Sequence, residues 1–132
     1  VSVGKAGTET LTGTWTMHRA GRWQELMGPS WGQYGTHVVN GIFVHSVACG
    51  QANSYNLPVG EYLRLGNPAS HGCIRACVAD AKWVWDNCNG SKIHIFDGTY
   101  TSNEALKGPL GRKALTPLRG SKNFDPTDPA CK

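Results

Sequence analysis

Thr36-His37-Val38-Val39-Asn40-Gly41-Ile42-Phe43-Val44-His45-Ser46 reads as two short strands about a turn. Asn-Gly between apolar, β-branched runs is the strongest short-range hairpin signal, because a type I′ turn asks for positive φ at both central positions. The second strand would end at His45, a rigid mount for an ionisable side chain. Further on, Ser70-His71-Gly72-Cys73-Ile74-Arg75 sets a cysteine directly behind His-Gly. A thiol needs a base to act as a nucleophile near neutral pH. Cys73 is therefore the candidate nucleophile and His45 its base, with His71 the competing base. Backbone N–H groups of Gly72 and Cys73, at a turn taken to enter a helix, are suited to an oxyanion hole, which His71 could also line. Arg75, planar and permanently charged, suits a carboxylate of a substrate; buttressing the site from behind is the equal alternative.

Outward from these stretches, Leu11–Met17 alternates as a half-buried strand, and 18–35 reads as an irregular connection. Its aromatics Trp23, Trp31 and Tyr34 are expected to pack over the core. The stretch 47–70 is punctuated by Gly, Asn and Pro, with a short helix or strand near Glu61–Leu65, and reads as a lid over the site. Val78–Cys88 has helical spacing, with Ala81, Val84, Trp85 and Cys88 on one face and Asn89-Gly90 as its stop. Lys92–Phe96 alternates as a strand, with His94 facing solvent. Short strands, 17 glycines and one convincing helix predict a mainly β fold: a β-sandwich of mixed sheets with one principal helix following the nucleophile.

The chain has 132 residues, enough for one domain with a core. Its net charge of +4 owes much to Lys107, Arg112, Lys113, Arg119 and Lys122. That run reads as a solvated loop or an attraction to an anionic wall or membrane surface, and no motif joins it to nucleic-acid binding. No stretch approaches the roughly 18 apolar residues of a membrane span, and Gly108–Lys113 lacks the Lys-Ser/Thr end of a phosphate loop. There is no signal peptide, and a first residue of valine implies that something was removed.

Five cysteines are an odd number. Setting Cys73 aside leaves Cys49, Cys77, Cys88 and Cys131 for two disulfides. Ends of a helix over 78–88 lie about 16 Å apart, too far for a bridge between Cys77 and Cys88. Cys49 is expected to pair with one of them and Cys131 with the other, implying an oxidising, extracytoplasmic setting (cell wall or secreted).

Ser-His-Gly-Cys-Ile-Arg, preceded by Ile-Phe-Val-His-Ser, resembles the signature of the YkuD-type L,D-transpeptidases, bacterial enzymes that crosslink peptidoglycan through a catalytic cysteine. Agreement extends over Ser2–Lys5, Thr10–Gly13, Asp80–Trp83 and Asp125–Pro129, nearly the whole chain. The resemblance implies the same architecture, and it singles out an absence, since relatives usually carry about two further strands ahead of Ser2-Val3-Gly4. The chain is thus expected to be a catalytic domain over 1–132 without those first strands, with an unpaired edge as the consequence. It further implies that Cys73 forms a thioester with a peptidoglycan stem peptide, that His45 is the base, and that the Ser46 carbonyl orients it. Ser70 and Phe43, with Arg75, would meet substrate. An amine acceptor gives a 3→3 crosslink; water gives an L,D-carboxypeptidase and a crosslink amide an endopeptidase. Carbapenems are expected to acylate Cys73, and no cofactor is required. Two other classes compete: a zinc site on His45, Cys49, His71 and Cys73, and a non-catalytic wall-binding module.

Overall fold

The computed structural model describes residues 1–96, 115–118 and 123–131, so the basic run and the tail glycines lie outside it. Its centre is a four-stranded mixed sheet ordered β2 (His18–Arg19), β5 (Thr36–Val39), β6 (Ile42–Ser46) and β7 (Ile74–Ala76). Two antiparallel pairs flank it, β1 (Gly13–Thr16) with β8 (Lys92–Ile95) and β3 (Trp23–Leu26) with β4 (Ser30–Gln33). Helix α1 (Val59–Leu63) precedes β7, and the principal helix α2 (Val78–Asn87) follows it. The fold is mainly β with mixed sheets and one main helix.

Strand β6 is buried at four of its five positions, as expected of a strand covered on both faces. It pairs antiparallel with β5 and parallel with β7, in the register Val44↔Ile74, His45↔Arg75 and Ser46↔Ala76. Side chains alternate faces along a strand, so this register sorts the site from the core. Ile42 and Val44 point to a cluster with Met17 and Val38, against which Ile74, Ile93, Ile95 and Val84 pack. Tyr34, Ala76, Val78 and Ala81 form a second cluster beneath α2, joined by Trp85. The β5–β6 turn joins Val39 and Ile42 through two residues as expected but is not type I′: of Asn40 and Gly41 only Asn40 has positive φ, 50°. A register shift between His37 and Val39 supplies the remaining twist.

Several expectations are corrected here. The segment 18–35 is a second hairpin, β3–β4, rather than an irregular connection; its ladder runs Trp23↔Gln33 to Leu26↔Ser30. The segment 47–70 is anchored, not a lid: Leu57, Tyr62 and Leu65 are buried against Val47, and Cys49 exchanges two backbone hydrogen bonds with Trp31. The N-terminal segment runs along β7, where Ser2 and Arg75 exchange backbone hydrogen bonds of 2.8 Å. All five cysteines are free thiols in this structure, where two disulfides were expected. Cys88 packs against the first core cluster, Cys77 stands at the head of α2, and Cys49 lies beside Val47. Burial, then Asp125 and Asp128, pushes the Cys49 thiol up to about 11. Burial likewise raises Cys77 and Cys131. Among the described residues no helix is long and apolar enough to cross a membrane.

Helix α2 takes its N-terminal cap from far along the chain. Its first residues have no local side-chain cap, and instead Asp125 Oδ2 accepts the Val78 N–H at 2.8 Å while Thr127 Oγ1 accepts that of Ala79 at 3.1 Å. A carboxylate there satisfies orphan donors and complements the helix dipole. The other end stops where Gly90 takes φ 84°.

Candidate active site

The alternation that sends Ile42, Val44 and Ile74 to the core sends Phe43, His45, Cys73 and Arg75 to the opposite face. All four line one cavity of about 370 Å³. Ser70 and His71 also line it, and Glu25, Leu26, Met27 and Ser30 of the β3–β4 hairpin form its far wall. The hairpin, not the 47–70 segment, overhangs the site; from that segment only Ala48 and Ser70 reach the cavity.

Cys73 stands one residue before β7 and level with Phe43. The Phe43 N–H donates to Cys73 Sγ at 3.4 Å, and the thiol lies 3.6 Å from the Gly41 carbonyl. Burial raises the thiol pKa, opposed by the Phe43 N–H and the positive charge of Arg75. The expected turn into a helix is absent here, because β7 intervenes and α2 begins only at Val78.

The loop carrying the thiol is tied on every side. Ser70, only 1% exposed, donates its hydroxyl to the Cys73 carbonyl at 2.5 Å and accepts the Gly72 N–H at 3.1 Å. Thr8 Oγ1 donates to the Ser70 carbonyl and Thr10 Oγ1 to that of Gly72. Gly72 has φ 123°, a conformation open to glycine. Ser70, expected at substrate, thus has its hydroxyl committed inside the loop, and the Gly72 N–H expected in the oxyanion hole is committed to Ser70.

His45 is 2% exposed. Its Nδ1 is in a short hydrogen bond with the Ser46 carbonyl. A carbonyl only accepts, so Nδ1 carries the proton and Nε2 is left as the basic nitrogen. Burial drives the imidazole pKa down to about 4; the Ser46 bond opposes this and the Arg75 charge adds to it. At neutral pH the ring is uncharged. Beside it, a Cβ on Gly32 would lie 2.7 Å from Nδ1, so the β4 backbone is pressed against the ring as only glycine allows. Ser46 Oγ accepts the Gln33 N–H at 2.8 Å, and the Gln33 side chain donates to Asp128 Oδ2 at 2.9 Å.

Arg75 Nη1 pairs with Glu61 Oε2 of α1 at 2.8 Å, a partner that no sequence pattern picks out. Phe43 packs edge-to-face on His37, with ring centres 5.2 Å apart. His71 is exposed at the rim, and no Cys73–His45 hydrogen bond is present among the described residues. Among the same residues no three His, Cys, Asp or Glu side chains group so as to hold a metal ion. His45, Cys49, His71 and Cys73 accordingly do not converge as the zinc alternative requires.

Residues 1–111 match the L,D-transpeptidase catalytic domain family YkuD. The chain belongs to the YkuD family. A Bacillus subtilis protein named, provisionally, L,D-transpeptidase YciB is 59% identical over 27 residues, 20% of this chain and 14% of that protein. Among solved structures, a fused Zn-dependent amidase/peptidase/peptidoglycan-binding domain-containing protein from Clostridium acetobutylicum is 26% identical, with TM-score 0.51 over 72% of this chain and 38% of that one. An L,D-transpeptidase from Stackebrandtia nassauensis has TM-score 0.54 at 19% identity, over 76% of this chain and 44% of that one. Another, from Mycobacterium tuberculosis, has TM-score 0.56 at 22% identity, over 73% and 41%. These last two share the YkuD fold. The chain spans less than half the length of each of these four proteins.

Proposed function

We propose that the chain is a cysteine-dependent peptidoglycan L,D-transpeptidase that forms 3→3 crosslinks. The observation carrying this is one cavity lined by the Cys73 thiol and by a buried His45 whose tautomer the Ser46 carbonyl fixes. A raised thiol pKa and a lowered imidazole pKa favour a neutral resting pair over a thiolate–imidazolium. The proton therefore moves as the bond forms: Cys73 Sγ attacks the carbonyl of the third residue of a tetrapeptide stem while His45 Nε2 takes the thiol proton. Collapse breaks the C–N bond, and His45 returns that proton to the departing D-alanine amine. The thioester is then opened by an amine of a neighbouring stem, whose proton passes through His45 to the Cys73 sulfur. With the Gly72 N–H engaged by Ser70, the Cys73 N–H and His71 are the oxyanion donors in this scheme. Arg75, held by Glu61, acts as a fixed positive charge that restrains the thiol pKa and adds to the burial that keeps His45 uncharged.

Such a substrate places the protein outside the cytoplasm, at the cell wall or secreted. Carbapenems, whose strained amide mimics the donor, fit the same thiol. Intact-mass spectrometry with a carbapenem tests both halves of the reading. The expected result is one adduct on the protein and none on Cys73→Ala, which loses all D-alanine release while keeping its far-UV circular dichroism. Adduct formation or turnover by the alanine variant would falsify the nucleophile.

A further inference from the structure

The charges around the cavity do not balance. Among its described lining residues the acid–base groups are Glu25, His45, His71 and Arg75. Arg75 is already matched by Glu61 at 2.8 Å. His45 is uncharged above about pH 4. Glu25 is different. The ion pairs among the described residues join Arg64 and Arg75 to Glu61 and Lys82 to Asp86, and none includes Glu25. Its carboxylate, on β3 of the far wall, thus brings to the cavity a negative charge that no described residue pairs. Beside it in sequence stand Leu26 and Met27, the latter 82% exposed, both on the same wall. A carboxylate next to uncovered aliphatic surface suits one kind of group: a primary ammonium on a methylene chain.

We infer that Glu25 is a specificity-determining residue that docks the ammonium-bearing alkyl side chain of the acceptor stem, with Leu26 and Met27 covering its methylenes. This rests on the acyl-transfer reading above and adds how amine is favoured over water. The docked ammonium surrenders one proton to solvent as it turns to the thioester. Its nitrogen forms the new amide as the C–S bond breaks, and a second N–H proton passes by His45 to the Cys73 sulfur. Glu25 takes no part in bond making.

The test is a partition ratio, which compares two fates of one thioester and so does not depend on how fast that thioester forms. Wild type and Glu25→Gln are acylated with a tetrapeptide donor, and aminolysis is measured against hydrolysis with two probes. One is n-butylamine, an ammonium at neutral pH; the other is hydroxylamine, uncharged there. The expected result is a roughly fivefold fall in the butylamine ratio for the variant, the size of an exposed ion pair, with a much smaller change for hydroxylamine. Raising salt should lower the wild-type butylamine ratio toward that of the variant. Equal falls for both probes, or no fall for butylamine, would overturn the assignment. If no thioester forms in either protein the transfer reading fails by itself, and Glu25 is then read by chemical-shift titration with butylammonium. Saturable shifts on the hairpin that vanish in Glu25→Gln keep the cation subsite; none in wild type removes it.

Discussion

The two walls of the cavity are built differently. On one side the β6–β7 strands and the loop before Cys73 hold every reacting group through backbone: Ser70, Thr8 and Thr10 tie the loop, and a carbonyl fixes His45. On the other, β3–β4 is a two-stranded ribbon with Met27 at its tip almost fully exposed. Two-stranded ribbons are marginal alone, and this one is fastened along β4 by the Trp31–Cys49 bonds and by Gly32 against His45, with its tip beyond Leu26 and Ser30 left uncovered. Chemistry needs positions fixed to fractions of an ångström, whereas choice among partners tolerates, and benefits from, a wall that can yield. The division of labour is therefore written into how each wall is fastened.

Removing the base from the rigid wall should have the largest effect. His45→Ala is expected to lower the rate of D-alanine release about 10²–10⁴-fold, whereas His94→Ala, on the exposed face of β8, should leave it alone. Equal losses would move the base elsewhere, His71 first. Pushing one wall into the other comes next. Gly32→Ala puts a methyl 2.7 Å from His45 Nδ1, and a displacement of the ring on the order of 1 Å should cost about 10²-fold in turnover with the fold retained. Wild-type turnover from that variant would mean the hairpin yields instead of the imidazole.

The smallest effect is on stability, and its sign follows from the buried ring. The native pKa of about 4 lies below the ordinary 6.5, so above pH 6.5 neither state binds the proton and nothing is gained or lost. As pH falls from 6.5 to 4 the unfolded chain takes up a proton that the native one refuses. Stability should drop by roughly 3 kcal/mol across that window and then level off for this group. Urea melts of wild type and His45→Gln over pH 7 to 4 read it; parallel curves would show that the ring is not held neutral.

Much of the rigid wall is legible in the sequence. Ile42-Phe43-Val44-His45 shows its alternation plainly, and the family resemblance joins it to Cys73. The yielding wall is not. Gly21, Gly28-Pro29, Gly32 and Gly35 have the look of a loop, yet Gly32 and Gly35 sit where a Cβ would strike His45 and Gln24, so there glycine marks close approach within a packed hairpin. The Arg75–Glu61 pair is invisible to pattern because tertiary structure chooses the partner. Counting cysteines suggests two bridges, whereas the thiols stand free, Cys88 against the first core cluster and Cys49 and Cys131 both near the Asp128 charge. Asp125 caps a helix 47 positions upstream, beyond any local capping rule.

That last connection has a consequence for biosynthesis. Gln33, at the root of the hairpin, meets Asp128 across 95 positions, while Val78 waits for Asp125. A chain emerging from the ribosome can lay down the β5–β6 hairpin early, but it cannot fix the hairpin root or cap α2 until Asp125–Asp128 has been made. Contacts of such separation are the slowest to form, because the loop must close before anything is gained. The hairpin wall of the cavity and the head of α2 would thus be among the last parts of the molecule to mature.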